Sequence, residues 1–319
     1  MTTTTTSAPK AEQAAKPPQR LGDKWFSGTA LAAGTMILVT LAAVAIFLVV
    51  QSIPGLGATS ETASLLSSNF WDYVWPLAFG TIWASFLALL MAVPLSVSVA
   101  LFISHYAPRR LAQGLGYIVD LLAAVPSVVF GLWGILVLAP AVQPVYSWFV
   151  ENAGWFPLFA GPVSSTGRTI FTAAMVLAVM IVPIITAICR EIFLQTPRLH
   201  EEAALALGAT RWEMIRMAVF PFGRSGIVSA SMLGLGRALG ETMAVAMVLS
   251  ATGVVTLRLF TPENPSTIPA NIALTFPEAY GTNINVLIAT GLILFVVTFA
   301  VNAVARWIVS RRKEFSGAN

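Results

Sequence analysis

Two charged side chains, Arg237 and Glu241, lie four residues apart inside an otherwise apolar stretch from about Gly226 to Ala251. A stretch of this length is long enough to cross a bilayer as a helix. An arginine at the centre of a membrane helix costs about 2.5–3.5 kcal/mol on insertion scales, so it needs a partner, a wet cavity or a ligand. Residues four apart share one helix face. The pair is therefore our candidate transport site.

The chemistry that suits this pair is reversible binding of an anion. A guanidinium offers planar hydrogen-bond donors that match a tetrahedral oxyanion, and it stays charged at any working pH. In this hypothesis Glu241 holds Arg237 until an entering anion competes for the guanidinium. The alternative is a static ion pair that packs helices together, because buried pairs also serve structural roles.

Small residues recur every fourth position in the same stretch, at Gly236, Gly240 and Ala244. This spacing lets a second helix approach closely. We expect Gly236 and Gly240 to form such a packing seam, with the two charged residues turned about 100° away from it.

Composition indicates a protein with several membrane helices. Of its 319 residues, 57% are hydrophobic and 10% are charged, and the mean hydropathy is +0.80. These values lie outside the range of soluble domains. The net charge of +4 is expected to reflect positive charge on one side of the membrane, and no nucleic acid is implied. The single cysteine, Cys189, excludes an internal disulfide and a cysteine-based structural metal site; no metal and no cofactor are indicated.

Six apolar runs predict six membrane-spanning helices and an all-α polytopic fold. Their approximate bounds are Trp25–Val50, Leu77–Ser104, Leu115–Leu138, Thr169–Cys189, Gly226–Ala251 and Ile284–Val309. Pro94, Pro126 and Pro183 lie inside three of these runs. We expect kinks there, because neighbouring helices can satisfy the backbone groups that proline frees.

The distribution of Lys and Arg predicts the topology. Most of these residues precede the first span or follow the second, fourth and sixth, and only Arg168 and Arg258 fall on the other side. The positive-inside rule therefore places both termini in the cytoplasm. The predicted organisation is a disordered cytoplasmic tail over residues 1–24, a six-span domain over 25–310 with a cytoplasmic loop over 190–224, and a cytoplasmic tail over 311–319.

The predicted outer loops, residues 51–76, 139–168 and 252–283, are rich in aromatic residues. Examples are Tyr146, Trp148, Phe149, Trp155 and Phe156. We favour an interfacial aromatic belt, and docking of an external partner is compatible with it.

Three further polar residues lie in or near spans. Asp120 and Asn302 are candidates for lining a cavity, or alternatively for capping and interhelical hydrogen bonds. Arg168 is a candidate for attracting anions, and we favour the alternative that it snorkels to the membrane interface.

The inner loop over 190–224 carries helix-terminus signals. Thr196 before Pro197 predicts an N-cap, and Gly208 predicts a C-cap for a short helix between them. Thr210 and Glu213 have capping-box spacing and predict the start of a second helix. The loop is therefore predicted to be a helix-turn-helix joined to the fifth span.

This loop resembles the EAA loop of bacterial ABC importer permeases. The match consists of Glu202-Ala203-Ala204, three residues, Gly208, nine residues, and then Ala218-Val219-Phe220-Pro221. Ala218 and Phe220 replace the usual Ile and Leu, an exchange of apolar for apolar.

The resemblance implies a type I ABC importer (MetI-like) permease fold whose first loop helix docks on a cytoplasmic ATPase and transmits its movement to the membrane helices. The residues expected to serve this coupling are Glu201, Glu202, Ala203, Ala204 and Gly208. The sequence has no G-x-x-x-x-G-K-[ST] phosphate loop. We therefore expect a transport subunit, not an enzyme, with ATP hydrolysed on a separate subunit.

Three further segments are similar to the PstC-type permease subunits of phosphate-specific importers. They are Val125-Pro126-Ser127-Val128-Val129-Phe130-Gly131-Leu132, the stretch from Pro221 to Ile227 and the stretch from Gly234 to Val245. In that family the Arg and Glu of the fifth span are implicated in phosphate passage, and they match Arg237 and Glu241. The resemblance implies an inner-membrane complex with a second, PstA-type permease, a PstB-type ATPase dimer and an external PstS-type phosphate-binding protein.

Other functions stay open at this point. The same architecture would serve another oxyanion, such as sulfate or molybdate, because charge and spacing separate tetrahedral anions poorly. An ion-coupled secondary transporter or anion channel predicts uptake that survives ATP depletion. A structural or receptor membrane protein predicts no loss of uptake on deletion.

Overall fold

The computed structural model describes residues 21–313, and its regular structure in this range is helical apart from one antiparallel bridge between Thr59 and Asn69. The predicted tails fall mainly outside the described residues, since residues 1–20 and 314–319 are not described. The α-helices are α1 (Leu21–Leu56), α2 (Phe70–Leu101), α3 (Arg109–Ala123), α4 (Ser127–Trp133), α5 (Ala139–Ala153), α6 (Ile170–Leu194), α7 (Arg198–Ala206), α8 (Arg211–Met214), α9 (Phe220–Leu239), α10 (Met243–Val248), α11 (Ile268–Thr275) and α12 (Thr282–Lys313). Single turns of π-helix occupy Phe102–Tyr106, Gly134–Leu138 and Ile215–Val219, and a 3₁₀ turn occupies Phe276–Glu278.

Six helical stretches among the described residues are long and apolar enough to span a membrane, which confirms the predicted number of spans. They cover Trp25–Leu56, Phe70–Tyr106, Ser127–Ala153, Ile170–Leu194, Arg211–Leu239 and Thr282–Trp307.

The predicted third span, Leu115–Leu138, is wrong. Its first half belongs to α3, a separate amphipathic helix, and the span itself begins at Ser127. Pro126 has extended backbone angles (φ −59°, ψ 139°) and is the N-cap of α4. A proline has no N–H and disfavours helical angles in the residue before it, which favours a helix boundary between Val125 and Ser127. The span consequently extends to Ala153 and includes much of the predicted outer loop.

Backbone contacts divide the chain into two units, residues up to Phe47 and residues from Leu48 onward. In the first unit the structure describes the helix from Leu21, whose apolar side chains are largely exposed. An exposed apolar helix of this length suits a lipid environment, since its backbone groups are bonded internally.

The core of the second unit is built around α6, which packs chiefly against α2 and α9. On α2 the contact surface includes Ala84, Ala88 and Ala92, all fully buried. Small residues at four-residue spacing let membrane helices approach closely, and lipid supplies no hydrophobic force to replace that packing. Ser96 adds an interhelical hydrogen bond by donating to the Val182 carbonyl at 3.2 Å.

The segment from Thr252 to Asn283, predicted as an outer loop, folds into the second unit through α11. The Thr81 hydroxyl on α2 accepts the Ile268 N–H at 2.9 Å. A Cβ at Gly80 would collide with the Ser266 carbonyl, so this glycine permits the close approach of the segment to α2. The segment is therefore an ordered part of the fold, held by polar contacts.

Candidate functional site

The helix that carries Arg237 ends earlier than predicted. A helical run extends from Arg211 through the π-turn to Leu239, where Gly240 is the C-cap, and α10 begins only at Met243. The predicted continuous span from Gly226 to Ala251 is therefore wrong. The glycines favour this break, because glycine has low helix propensity. The Glu241 carboxylate also satisfies the start of α10 by accepting the Ala244 N–H at 3.0 Å.

The break separates the two charged residues. Glu241 is 8% exposed and bonded to the α10 backbone, whereas the Arg237 side chain is exposed. Among the described residues the ion pairs are His105–Glu201 and Asp120–Arg190, so the expected Arg237–Glu241 pair is absent from this conformation. The shared helix face on which that expectation depended does not exist, since Glu241 lies beyond the helix end.

Arg237 lines an open cavity of about 960 Å³ bounded by α6, α9 and α12. Four polar residues line it, namely Ser229, Arg237, Asn302 and Arg306. No acidic residue is among its lining residues in the described part of the chain. The cavity therefore has two fixed positive charges without a counter-charge, which favours an anion as its occupant. The placement of Asn302 confirms its candidacy as a cavity-lining residue.

Sequence reasoning missed Arg306, which was assigned to the positive charge that follows the sixth span. The available signal was its spacing from Asn302: two polar residues four apart share one face of an otherwise apolar helix. Without the neighbouring helices, nothing in that pattern shows that the face borders the same cavity as Arg237.

The expected glycine seam is not formed within this chain. A Cβ at Gly236 would meet nothing within 4 Å, because Gly236 lines the cavity, and one at Gly240 would meet only the backbone of its own helix. The close helix contact is made instead by Gly234, where a Cβ would lie 2.7 Å from Ile185 Cδ1 on α6. The packing role of Gly236 and Gly240 remains a prediction that concerns partner helices.

A buried polar network holds the segment after the break. Asn264 is fully buried, and its Nδ2 lies within 3.1–3.4 Å of the carbonyls of Arg168, Ser250, Thr261 and Pro262. Its Oδ1 accepts the N–H of Ile170, the first residue of α6, at 3.0 Å. Asn264 thereby links the segment after α10 to the start of α6.

Arg168 takes part in the same network. Its guanidinium donates to the carbonyls of Met247 at 3.0 Å and Val248 at 3.4 Å, at the C-terminal end of α10. These bonds satisfy carbonyls that a helix end leaves free. The structure therefore assigns Arg168 to anchoring α10, and its snorkelling to the membrane interface stays a prediction.

Gly131 lies in the segment Val125–Leu132, which resembles the PstC-type permeases in sequence. A Cβ at Gly131 would lie 3.0 Å from Ala244 Cα on α10, so α4 and α10 approach closely at this point. The segment therefore packs against α10, which follows the break.

The loop between the fourth and fifth spans has the predicted helix-turn-helix form. Gly208 has φ +86°, which provides the turn after α7, and Thr210 with Glu213 forms a complete capping box. The expected N-cap is wrong, because Pro197 occupies that position and the Thr196 hydroxyl is buried with no hydrogen-bond partner.

The candidate coupling residues divide by exposure. Ala204 is buried against the core, whereas Glu202, Ala203 and Gly208 are exposed and accessible to a partner. Glu201 points inward and lies 3.4 Å from His105 Nε2, beyond the end of α2. α7 is therefore linked by side chains to the second span as well as by its chain connection to the fifth.

The aromatic residues near α5 do not act as one belt. Tyr146 is buried and stacks on Phe260, with ring centroids 4.4 Å apart, and Phe149 packs against the same cluster. Trp148 and Trp155 are exposed. The belt prediction therefore applies to the exposed tryptophans, while Tyr146 belongs to the protein core.

Six helical stretches long enough to span a membrane, a capped double-helix loop and an anion-compatible cavity are together the features of a membrane permease. A bacterial ABC transporter involved in the import of the acidic polysaccharide alginate has a similar solved structure, with a TM-score of 0.60 at 18% identity over 90% of this chain and 96% of that one. The pattern of the family described as "Binding-protein-dependent transport system inner membrane component" matches residues 92–314. The chain belongs to this family and is a multi-pass inner-membrane protein, which confirms the predicted fold class and location.

Curated relatives match over nearly the whole chain. A protein of Mycobacterium tuberculosis named "Phosphate transport system permease protein PstC 2" is 49% identical over 306 residues, 91% of this chain and 93% of its own. The protein named "Phosphate transport system permease protein PstC" of Mesorhizobium japonicum is 41% identical over 311 residues, 93% of each chain.

Proposed function

We propose that this chain is the permease subunit of an ATP-driven phosphate importer and forms half of the pathway through which phosphate crosses the inner membrane. The observation that carries the proposal is the open cavity with Arg237 and no acidic lining residue among those described. Relatives named as phosphate transport permeases align with more than nine-tenths of this chain and of their own length, which supports phosphate as the transported anion.

In the proposed site Arg237 is a direct contact for the transported anion. An exposed guanidinium in a membrane cavity offers charge-assisted hydrogen bonds to oxyanion oxygens. The proposed role of Glu241 is structural, in contrast to the ion pair with Arg237 that its spacing predicts. Glu241 holds the start of α10 by its bond to Ala244 and thereby sets where the helix of Arg237 ends. Movement of this break would change the position of Arg237 relative to the cavity.

The energy for transport would come from a separate subunit, since the sequence lacks a phosphate loop for ATP. The exposed residues of α7 would dock on a PstB-type ATPase dimer, and Glu201 with His105 would transmit displacement of α7 to the second span. A PstA-type permease would complete the pathway, with Gly236 and Gly240 available for its helices. A PstS-type protein would deliver phosphate.

The test is ATP-driven uptake of radiolabelled phosphate into proteoliposomes that contain the complex purified from its host. We expect Arg237→Gln to reduce uptake at least tenfold, because a charged hydrogen bond is worth about 1.5–3 kcal/mol. Arg237→Lys should retain part of it, since lysine keeps the charge but not the planar donors. The matched control is Arg110→Gln, which removes one charge from the exposed face of α3.

Rival functions give different results in the same vesicles. Uptake that continues without ATP under a membrane potential would identify a secondary transporter or channel. Uptake of sulfate or molybdate in place of phosphate would identify another oxyanion importer. Normal phosphate uptake by Arg237→Gln in a fully assembled complex would refute the assigned site.

A further inference from the structure

We infer that Arg306 is a second cationic contact for the transported oxyanion, in the same cavity as Arg237. This inference rests on the proposed function and adds a residue that lies 69 positions away in sequence, on a different helix. The shared chemistry is recognition of a phosphate group by two guanidinium side chains.

The first argument is the cavity itself. Arg237 on α9 and Arg306 on α12 border one volume of about 960 Å³, and Asn302 lies one helical turn before Arg306 on the same face. A cavity of this size accommodates a hydrated oxyanion. Asn302 supplies a neutral amide that both donates and accepts hydrogen bonds, which suits an anion that is partly protonated.

The second argument is charge. In the described part of the chain neither arginine has an ion-pair partner, and no acidic residue lines the cavity. Two guanidinium groups without ion-pair partners that border one cavity make it positively charged, which favours binding of an anion. Inorganic phosphate near pH 7 is a mixture of singly and doubly charged forms, so its mean charge is more than one guanidinium neutralises.

The third argument is the direction of the helices. Consecutive spans run in opposite directions, and both arginines lie toward the C-terminal ends of their helices, α9 and α12. They therefore reach the cavity from different ends. The lining residues of α9 run from Val228 to Arg237, which corresponds to about 13 Å along the helix. An anion that moves along the cavity would leave one guanidinium as it reaches the other.

The test measures binding of radiolabelled inorganic phosphate by equilibrium dialysis to the complex in phosphatidylcholine nanodiscs, without the external binding protein. We expect Arg306→Gln to weaken binding about tenfold and Arg306→Lys about threefold, with Arg110→Gln equal to wild type. ATP-driven uptake should fall in the same order. Equal assembly and thermal stability of the variants would exclude misfolding, and rescue by lysine would exclude a purely packing role.

Two outcomes would overturn the inference. In one, wild type transports phosphate while Arg306→Gln binds and transports it normally. In the other, the difference between wild type and Arg306→Gln arises only in nanodiscs that also contain phosphatidylglycerol, which would assign Arg306 to a lipid headgroup. Failure of the proposed function is distinguishable, because wild type itself would then take up sulfate or molybdate instead, and the same variants would be compared with that anion.

Discussion

The helical run from Arg211 to Leu239 begins and ends by different means. At its start, Thr210 and Glu213 form a capping box, and Gly208 turns the chain with φ +86°; all three are within five residues of the helix. At its end, the segment beyond Gly240 is held by Asn264 and Arg168, which are distant in sequence from Leu239. The start depends on local contacts alone, whereas the end combines a local bond, from the Ala244 N–H to Glu241, with tertiary contacts made by the segment that follows.

This difference has a functional reading. In the proposed transport cycle, a start held by local contacts would keep the double-helix loop in shape while the loop moves as a unit. The end, which carries Arg237, also depends on tertiary contacts and would shift when those contacts shift. Variants at each end therefore test whether the two ends behave as differently as their contacts indicate.

The largest effect is expected for Asn264→Asp. The aspartate keeps the acceptor for the Ile170 N–H but loses the amide that serves the surrounding carbonyls, and it adds a buried charge. Unsatisfied buried polar groups cost about 1–3 kcal/mol each. We therefore expect the free energy of unfolding to fall by several kcal/mol and the Tm in detergent to fall strongly. Asn152→Ala, at an exposed asparagine, is the control and should leave the Tm unchanged. A Tm for Asn264→Asp close to that of wild type would contradict the assigned network.

A smaller effect is expected for Gly208→Ala. A Cβ at Gly208 would meet nothing within 4 Å, so the cost comes from its positive φ and amounts to about 1–2 kcal/mol. Hydrogen exchange in α7 should rise, and uptake per ATP hydrolysed should fall. Gly57→Ala is the matched control, because its Cβ is equally free and its φ is not positive. Unchanged exchange and coupling in Gly208→Ala would show that the turn is dispensable.

The smallest effect on stability is expected at Glu241. Glu241→Ala removes the acceptor for the Ala244 N–H and should lower the free energy of unfolding by about 1 kcal/mol, as loss of a helix cap does. Glu241→Gln keeps an acceptor and should preserve most of the Tm. If Glu241→Gln nevertheless reduces phosphate uptake, the carboxylate charge contributes to transport; if both variants transport normally, Glu241 does not belong to the pathway.

Several elements were predictable because their signals are local. The capping box and the glycine that turns the chain after α7 follow from residues within one or two helical turns, and the number of spans follows from apolar runs that each lie within one segment. The predicted spans were wrong where one continuous apolar run contains the boundary between two helices. The apolar run around Pro126 concealed a helix end, and the run through Gly240 concealed a break. Hydropathy does not distinguish a continuous helix from two helices in succession.

The candidate site shows the same division. Arg237 stands out in the sequence because a charge in an apolar helix is costly. Its expected partner, Glu241, follows from i to i+4 spacing only if the helix continues, and it does not. Arg306 and Asn302 border the same cavity as Arg237 only because α12 packs against α9, and no local pattern predicts that packing.

The sequence by itself determined the helical class, the number of spans and the double-helix loop, because apolar length and capping act within one segment. Only the tertiary structure decided which charges share a cavity. Asn264 and Arg168 bind the segment after α10 through backbone groups of distant residues, and α6, α9 and α12 together enclose the space that Arg237 and Arg306 face. Contacts between segments far apart in the chain depend on all of those segments at once, so no single stretch of sequence specifies them.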